Sequence, residues 1–366
     1  MASRPMSTPQ HRAASAPLMP ESGELPPTAK PGVETGLVRI APGLLGKTSR
    51  LRSVMFWIVG VMGCIAVVLV SLHLGSLQKM AELIRSARPG WMLVALAVQC
   101  GTYVSAAFVW REALREAGHP LSLRTLTPLG IAKVFTDQVL PSGGISGTML
   151  VVRGLSGRHV PAGIAMAAML VGMVSYDIAY LLVVLASASM LWLQHRLNMA
   201  LIAGVAIFVV ITVAVPAAVL GLKQWGQRAP IAWLSKWLGV TTLLRQLTDA
   251  PTLLLHNPRL LLRTVGLQLA IFVFDALTLW LAFHAIGEVP PFWVVFVSFI
   301  IASMVATIGP IPVGLGTFEA TSVGMLSLLG VSVEAALAAT LLLRALTFWL
   351  PMLPGIWLAR REIRLQ

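Results

Sequence analysis

The chain has 366 residues, of which 57% are hydrophobic and 11% charged, with a mean hydropathy of +0.83. Soluble domains contain about 45–50% apolar and about 25% charged residues, and a water-soluble core cannot bury this excess. The composition excludes a soluble enzyme, a fibrous protein and a disordered chain, and it predicts an all-α polytopic membrane protein. The net charge of +13 does not indicate a nucleic-acid partner, because the basic residues flank apolar runs, as is typical of membrane proteins.

The first 50 residues are rich in Pro, Ser, Ala and Gly and have no hydrophobic period. Such a composition is typical of disorder. A signal peptide would need a short apolar core with a cleavage site after a basic start, and no such core follows. We therefore expect residues 1–50 to be a disordered cytoplasmic tail and residues 51–366 to form the transmembrane domain.

Six apolar runs are long enough, at about 20 residues, to cross the hydrocarbon of a bilayer. They are residues 54–72, 91–110, 163–190, 200–222, 264–286 and 335–358. Pro and Gly interrupt two further apolar stretches, 125–152 and 291–331. Non-helical backbone at membrane depth survives only where protein or water satisfies its polar groups, so each stretch is predicted to be a re-entrant hairpin. A full span that is broken in its middle is the alternative.

The distribution of Lys and Arg predicts the orientation. With the tail in the cytoplasm, cytoplasmic segments hold 21 of the 27 basic residues and external segments hold four, so both termini are expected inside. The two hairpins are then oppositely oriented and the chain forms an inverted repeat, as in alternating-access carriers. The segments Pro141–Thr148 and Pro310–Thr317 agree at only three of eight positions, so the predicted topology carries this inference.

A connector near residues 225–255 follows the fourth predicted span. Trp233 and Trp237 lie four residues apart and share a helical face, while Lys236 and Arg245 lie on the polar side. This pattern predicts a helix in the cytoplasmic interface, with its indole rings at headgroup level. It either contacts anionic lipid or is a connector resting on the membrane.

Ionisable side chains inside the apolar stretches are the main candidates for a functional site. Each costs about 2.5–3.5 kcal/mol at the bilayer centre. Such side chains are therefore retained where they form ion pairs, line a water-filled cavity or take part in function. The candidates and the neighbouring hairpin positions are Asp137 with Lys133, Gly143, Gly144, Arg153, Asp177, Asp275, Glu319 and Arg344.

Arg344 needs a carboxylate, a phosphate or water, because its guanidinium stays charged. Glu319 is the first candidate partner, since the second hairpin and the last span are neighbours in sequence; Asp177 and Asp275 are others. Glu319 would also lie in the first turn of a helix, where it either caps the helix or stands beside an anion site. The pair is either structural or a phosphate-binding guanidinium that exchanges Glu319 for a lipid headgroup.

The other two buried acids have polar neighbours of their own. The hydroxyls of Tyr176 and Tyr180 are predicted to hold the carboxylate of Asp177. Gln268 and Asp275 are seven residues apart and form a polar stripe, with Thr278 nearby, that should face the interior of the helix bundle. Structural hydrogen bonds between helices explain such stripes more often than substrate contact does.

Two motifs carry a resemblance to a known family: Pro310-Ile-Pro312-Val-Gly314-Leu-Gly316-Thr-Phe-Glu319, and Arg344-Ala-Leu-Thr347-Phe348-Trp349-Leu-Pro351 with Gly355 after it. They resemble the signature of the lysylphosphatidylglycerol synthase transmembrane-domain (flippase-like) family. Pro141-Ser-Gly143-Gly144-Ile-Ser-Gly147 with Arg153 resembles that family's first re-entrant motif. The resemblance covers about residues 54–360, and it implies that the site contains Gly314, Gly316, Glu319, Arg344 and Arg153.

The resemblance implies lipid translocation in the plasma (inner) membrane of a bacterium, and not lipid synthesis, because no aminoacyl-transferase domain follows. The implied substrate is an anionic or aminoacylated phospholipid, a hopanoid or a glycolipid. An accessory protein that scaffolds a lipid-modifying enzyme is the second hypothesis, and an integral-membrane transferase is the third. No catalytic signature, cofactor motif or metal-ligand spacing is present in the sequence, so we expect no enzyme activity, cofactor or metal.

Overall fold

Helices form all of the regular structure in the computed structural model over the residues it describes, which are 82–139, 144–225, 254, 256–309 and 314–364. No strand occurs in these ranges. In chain order the helices are α1 (Pro89–Glu116), α2 (Leu123–Val139), α3 (Ile145–Ser156), α4 (Ala162–Leu193), α5 (Met199–Trp225), α6 (Pro258–Ala285), α7 (Phe292–Ile308), α8 (Thr317–Leu328), α9 (Val333–Arg344), a π turn (Ala345–Trp349) and α10 (Leu350–Arg364).

Four helical segments are long and apolar enough to cross a membrane: α1, α4, α6 and Val333–Glu362, in which α9, the π turn and α10 are continuous. Four of the six predicted spans fall on these segments, and the run 200–222 falls on α5. The prediction of an all-α protein with several membrane helices is thus confirmed. The count of six spans and the re-entrant course of the hairpins stay predictions.

Several predictions from the sequence concern residues outside the described ranges. These are the tail 1–50, the first span 54–72, Gly143, and the interfacial helix near 225–255 except for residues 225 and 254. The described helices all belong to one of two units of the chain, His73–Gln366.

Each of the two interrupted stretches forms a pair of helices that pack against each other, α2 with α3 and α7 with α8. The second helix of each pair begins after a glycine with a left-handed backbone, Gly144 at φ 85° and Gly316 at φ 86°. Only glycine adopts this conformation without steric cost. When Pro141–Thr148 is aligned with Pro310–Thr317, Gly147 occupies the position of Gly316. Gly147 lies inside α3, however, so the structural equivalent of Gly316 is Gly144.

The same order of elements occurs twice. Helices α1, α2 and α3 have 28, 17 and 12 residues, and so do α6, α7 and α8. The 32 residues of α4 correspond to α9, the π turn and α10, with 12, 5 and 15 residues. Both α1 and α6 begin with a proline, which fits the first position of a helix, and each carries a buried glutamine at its eleventh position, Gln99 and Gln268.

Packing follows the same repeat. Helices α1 and α6 pack against each other, α2 packs against α10, and α7 packs against α4. The apolar side chains form two main clusters. One joins α1, α2 and α3 to the first half of α4, and the other joins the second half of α4 to α6, α7, α8 and α9. Helix α10 approaches α2 so closely that a Cβ on Gly355 would lie 2.5 Å from the Cβ of Phe135.

Candidate functional site

The second helix pair places a carboxylate at the beginning of α8. Gly316 is the N-cap, and Glu319 folds back so that its Oε2 accepts a hydrogen bond from the Gly316 N–H at 2.7 Å. A negative charge in the first turn is also stabilised by the partial positive charge of the helix N-terminus. Glu319 is therefore a helix cap, one of the two roles that the sequence left open.

The other oxygen of Glu319 contacts Arg344, at the end of α9. Arg344 Nε lies 2.6 Å from Glu319 Oε1, and the two side chains are 16% and 19% exposed. The first candidate partner inferred for Arg344 is thus correct. Asp177 and Asp275, the other candidates, form no ion pair with it in the described structure.

The guanidinium of Arg344 also has contacts on two other sides. Its Nη2 donates to the Gly314 carbonyl at 3.4 Å, and its Cζ lies 4.3 Å from the centroid of the Phe318 ring. The ion pair of Nε with Glu319 Oε1 and the long hydrogen bond of Nη2 to Gly314 are the polar contacts given for this guanidinium within the described residues. A guanidinium has five N–H groups in a planar fork. Donors therefore remain for a further anionic oxygen.

A π turn follows Arg344 directly. The Leu350 N–H donates to the carbonyl of Ala345, five residues earlier. Pro351 has no N–H, and its ring would clash with the carbonyl four residues before it in a regular α-helix. Widening of the preceding turn relieves this clash. π turns are rare and frequently mark functional sites, and this one begins at the residue after Arg344.

The first helix pair has a related arrangement. Asp137 Oδ1 accepts from the Gly147 N–H at 2.9 Å, and Lys133 Nζ donates to Asp137 Oδ2 at 2.6 Å. A Cβ on Gly147 would collide with the Asp137 carboxylate. In both pairs a carboxylate thus binds a backbone N–H at the beginning of the second helix and a basic side chain. The i,i+4 spacing of Lys133 and Asp137 is the sequence signal that could have predicted this ion pair.

The structure does not bring Arg153 to the Arg344 pair. Arg153 lies in the last turn of α3, away from the interruption that Gly144 marks, and its side chain is exposed. It forms no ion pair with a residue of the described ranges. No contact of Arg153 in the described structure supports the place in the site that the resemblance implies for it.

The predicted pairing of Asp177 with two tyrosines is wrong. The Tyr180 hydroxyl instead contacts Thr307 Oγ1 on α7 at 3.2 Å. Tyr176 stacks on Phe272 of α6, with 5.4 Å between ring centroids. Asp177 has no hydrogen-bond or ion-pair partner within the part of the chain that is described.

The polar stripe on α6 makes the interhelical hydrogen bonds expected of it. Gln268 Nε2 donates to the carbonyl of Gly172 on α4 at 3.2 Å. Asp275 Oδ1 accepts from Gln99 Nε2 at 3.3 Å and from Thr102 Oγ1 at 3.2 Å, both on α1. The stripe therefore connects α6 to two neighbours.

A further ion pair, between Arg158 and Glu362, was not found by sequence reasoning. Arg158 Nη1 and Nη2 lie 2.8 Å and 2.7 Å from Glu362 Oε2 and Oε1, and Nη1 also donates to the Gly154 carbonyl at 2.6 Å. The hydrogen bonds to Glu362 raise the pKa of the Arg158 guanidinium. Glu362 is only 6% exposed. The pair links the connection between α3 and α4 to α10.

The sequence matches the family described as lysylphosphatidylglycerol synthase TM region over residues 56–355. The chain belongs to this family. The resemblance inferred from the two motifs is thereby confirmed, and so is the assignment as an integral membrane protein. A search of curated proteins found no match. The region shared with the lysylphosphatidylglycerol synthase TM family contains both helix pairs, Glu319 and Arg344, whereas Glu362 lies beyond it.

Proposed function

We propose that the protein is a flippase-like lipid translocator, which moves a phospholipid or a related polar lipid between the leaflets of a bacterial inner membrane. Both termini lie in the cytoplasm, and α2–α3 and α7–α8 are re-entrant hairpins that enter from opposite leaflets. The chemistry of Arg344 suits an anionic headgroup, including that of an aminoacylated phospholipid or of a charged hopanoid or glycolipid.

The observation that carries this proposal is the Arg344–Glu319 pair at the interruption between α7 and α8. Both side chains are partly exposed, so a ligand can reach them. A lipid phosphate can form charge-assisted hydrogen bonds with the guanidinium in the fork geometry that phosphates prefer. Glu319 is the resting partner, and it remains bound to the Gly316 N–H when Arg344 is taken by phosphate.

The repeated order of helices supports the transport part of the proposal. Inverted repeats with discontinuous helices provide two related sets of elements that can rock against each other around one site. Here the equivalent helices α1 and α6 pack together, and each half places its first short helix against the last long segment of the other half. Translocation needs no covalent step, so the protein is not proposed to be an enzyme.

The test uses the full chain in liposomes that contain a fluorescent anionic phospholipid, with dithionite added outside to quench the outer leaflet. We expect the wild-type protein to expose inner-leaflet lipid to quenching, and Arg344→Met to slow this by about tenfold or more, since hydrogen bonds to charged groups contribute about 1.5–3 kcal/mol. Arg344→Lys should retain an intermediate rate, because it keeps the charge without the fork.

Arg360→Met is the matched control, because Arg360 lies on the same continuous helical segment with an exposed side chain. It should translocate lipid at the wild-type rate. A wild-type rate in folded Arg344→Met would refute the proposed role of the pair. Absence of any translocation by the wild-type chain, together with a stoichiometric lipid-modifying enzyme that co-purifies with it, would favour the accessory role.

A further inference from the structure

A partly buried carboxylate without a cation partner among the described residues lies between α1 and α6. Asp275 Oδ1 accepts hydrogen bonds from Gln99 Nε2 and Thr102 Oγ1, which are both neutral donors. None of the ion pairs formed by the described residues includes Asp275. An ionised carboxylate in the interior of a membrane helix bundle is expensive unless a charge compensates it. Two neutral hydrogen bonds do not supply that charge.

The groups around Asp275 in the described part of the chain offer no compensating cation. Among the described residues, the titratable side chains that interact electrostatically with Asp275 are Tyr103 of α1 and Tyr176 of α4, and these two lie near Cys100 and Asp177 respectively. Helix α7 carries no titratable residue. On α9, Glu334 is acidic and Arg344 is already paired with Glu319. The surroundings are therefore acidic or phenolic, and they disfavour a second negative charge.

The side chain of Gln99, which donates to Asp275, also carries a buried amide oxygen that has no donor among the described residues. Gln99 is 2% exposed, and its Oε1 has no hydrogen-bond partner in the described structure. The Tyr103 hydroxyl lies near the Gln99 side chain, but its oxygen also lacks a partner with hydrogen-bonding geometry. An orphaned buried amide oxygen is costly. An ionised Asp275 cannot relieve that cost, because a carboxylate has no hydrogen to donate.

A protonated carboxyl group would satisfy both requirements. It removes the uncompensated charge, and its O–H becomes a donor beside the Gln99 amide. An acid and a primary amide can pair through two hydrogen bonds, in which the amide N–H donates to the acid carbonyl and the acid O–H donates to the amide oxygen. The first of these two bonds is present as Gln99 Nε2 to Asp275 Oδ1.

We propose that Asp275 is a proton-binding site, which is protonated at neutral pH with Gln99 Oε1 as acceptor and which exchanges its proton during lipid translocation. A proton from water forms the O–H bond of Asp275 and returns to water when the site opens, and no other bond is made or broken. The proton-binding part is independent of the proposed lipid transport, whereas the exchange during translocation rests on it.

Infrared spectroscopy of the reconstituted full chain tests the proton-binding part. A carbonyl band of a protonated carboxyl group should be present at neutral pH, absent in Asp275→Asn and retained in Asp177→Asn, the matched control on α4. Gln99→Leu should shift the band to higher frequency, since it removes the acceptor. Absence of the band in the wild type, or its persistence in Asp275→Asn, would overturn the proposal. Loss of the band on adding sodium chloride would also overturn it, in favour of a metal-cation site.

The liposome assay with an imposed pH gradient tests the exchange. The wild-type rate of lipid translocation should depend on the gradient, and the rate of Asp275→Asn should not. An equal dependence in both proteins would refute the exchange. If the wild type moves no lipid at any gradient, the proposed function fails, and the infrared result still decides whether Asp275 holds a proton.

Discussion

Replacing Arg158 with methionine should lower the free energy of unfolding by about 3 kcal/mol. The substitution removes both hydrogen bonds to Glu362 and the one to the Gly154 carbonyl. It leaves a carboxylate that is 6% exposed without its cation. Removal of one partner from a buried pair costs about 3–5 kcal/mol, and we expect the lower end because 27% of the Arg158 side chain is exposed.

The assay is reversible unfolding of the purified chain in mixed micelles, titrated with sodium dodecyl sulfate and followed by tryptophan fluorescence. Arg153→Met is the matched control, since Arg153 lies five residues earlier with an exposed side chain. Its effect should stay within about 0.5 kcal/mol, as for most surface substitutions. If Arg158→Met destabilises the protein no more than Arg153→Met does, the Arg158–Glu362 pair does not stabilise the attachment of α10, and the reasoning is refuted.

A double-mutant cycle isolates the pair itself. Glu362→Gln alone should also destabilise the protein, because it weakens the contact with Arg158. Once Arg158 is methionine, Glu362→Gln should cost little, since the carboxylate then has no cation to lose. Two residues in direct contact are expected to show a coupling energy of about 0.5–3 kcal/mol. Additive effects would mean that the stability loss arises elsewhere.

Two further predictions concern the helix pairs. Gly147→Ala should lower the free energy of unfolding by about 1–3 kcal/mol, since its Cβ would displace the Asp137 carboxylate. Gly324→Ala, where nothing lies within 4 Å of the added Cβ, should raise the free energy of unfolding by about 0.5–1 kcal/mol. Equal effects of the two substitutions in chemical denaturation would contradict the packing described. Glu319→Gln should lower the free energy of unfolding and slow dithionite-monitored lipid translocation, because Arg344 loses its resting partner; a variant with both quantities unchanged would show that the pair is dispensable.

The contacts that sequence reasoning found are those encoded locally or by helical period. Glu319 follows Gly316 by three residues, which is the spacing of a helix cap, and Arg344 lies in the next apolar segment. The stripe of Gln268 and Asp275 follows from their spacing of seven residues on one helix. A helical period shows which side chains share a face, but it does not show which helix covers that face.

The contacts that it missed or misassigned depend on tertiary packing. Arg158 and Glu362 are separated by 204 residues, and they meet only because α10 folds back onto α2 and α3. The expected pairing of Tyr180 with Asp177 fails because the Tyr180 hydroxyl finds an acceptor on α7. Neighbouring residues such as Tyr176 and Asp177 point about 100° apart on a helix, so adjacency in sequence does not bring their side chains together.

The π turn after Arg344 determines the rotation about the helix axis between two side chains that form ion pairs, Arg344 and Glu362. Arg344 contacts Glu319 on one side of this turn, and Glu362 contacts Arg158 on the other. If this turn tightened to a regular α-helix with the same number of residues, the helix beyond it would rotate by about 100°. Glu362 and Arg344 could then no longer both face their partners, so any motion that tightens this turn must release one of the two salt bridges.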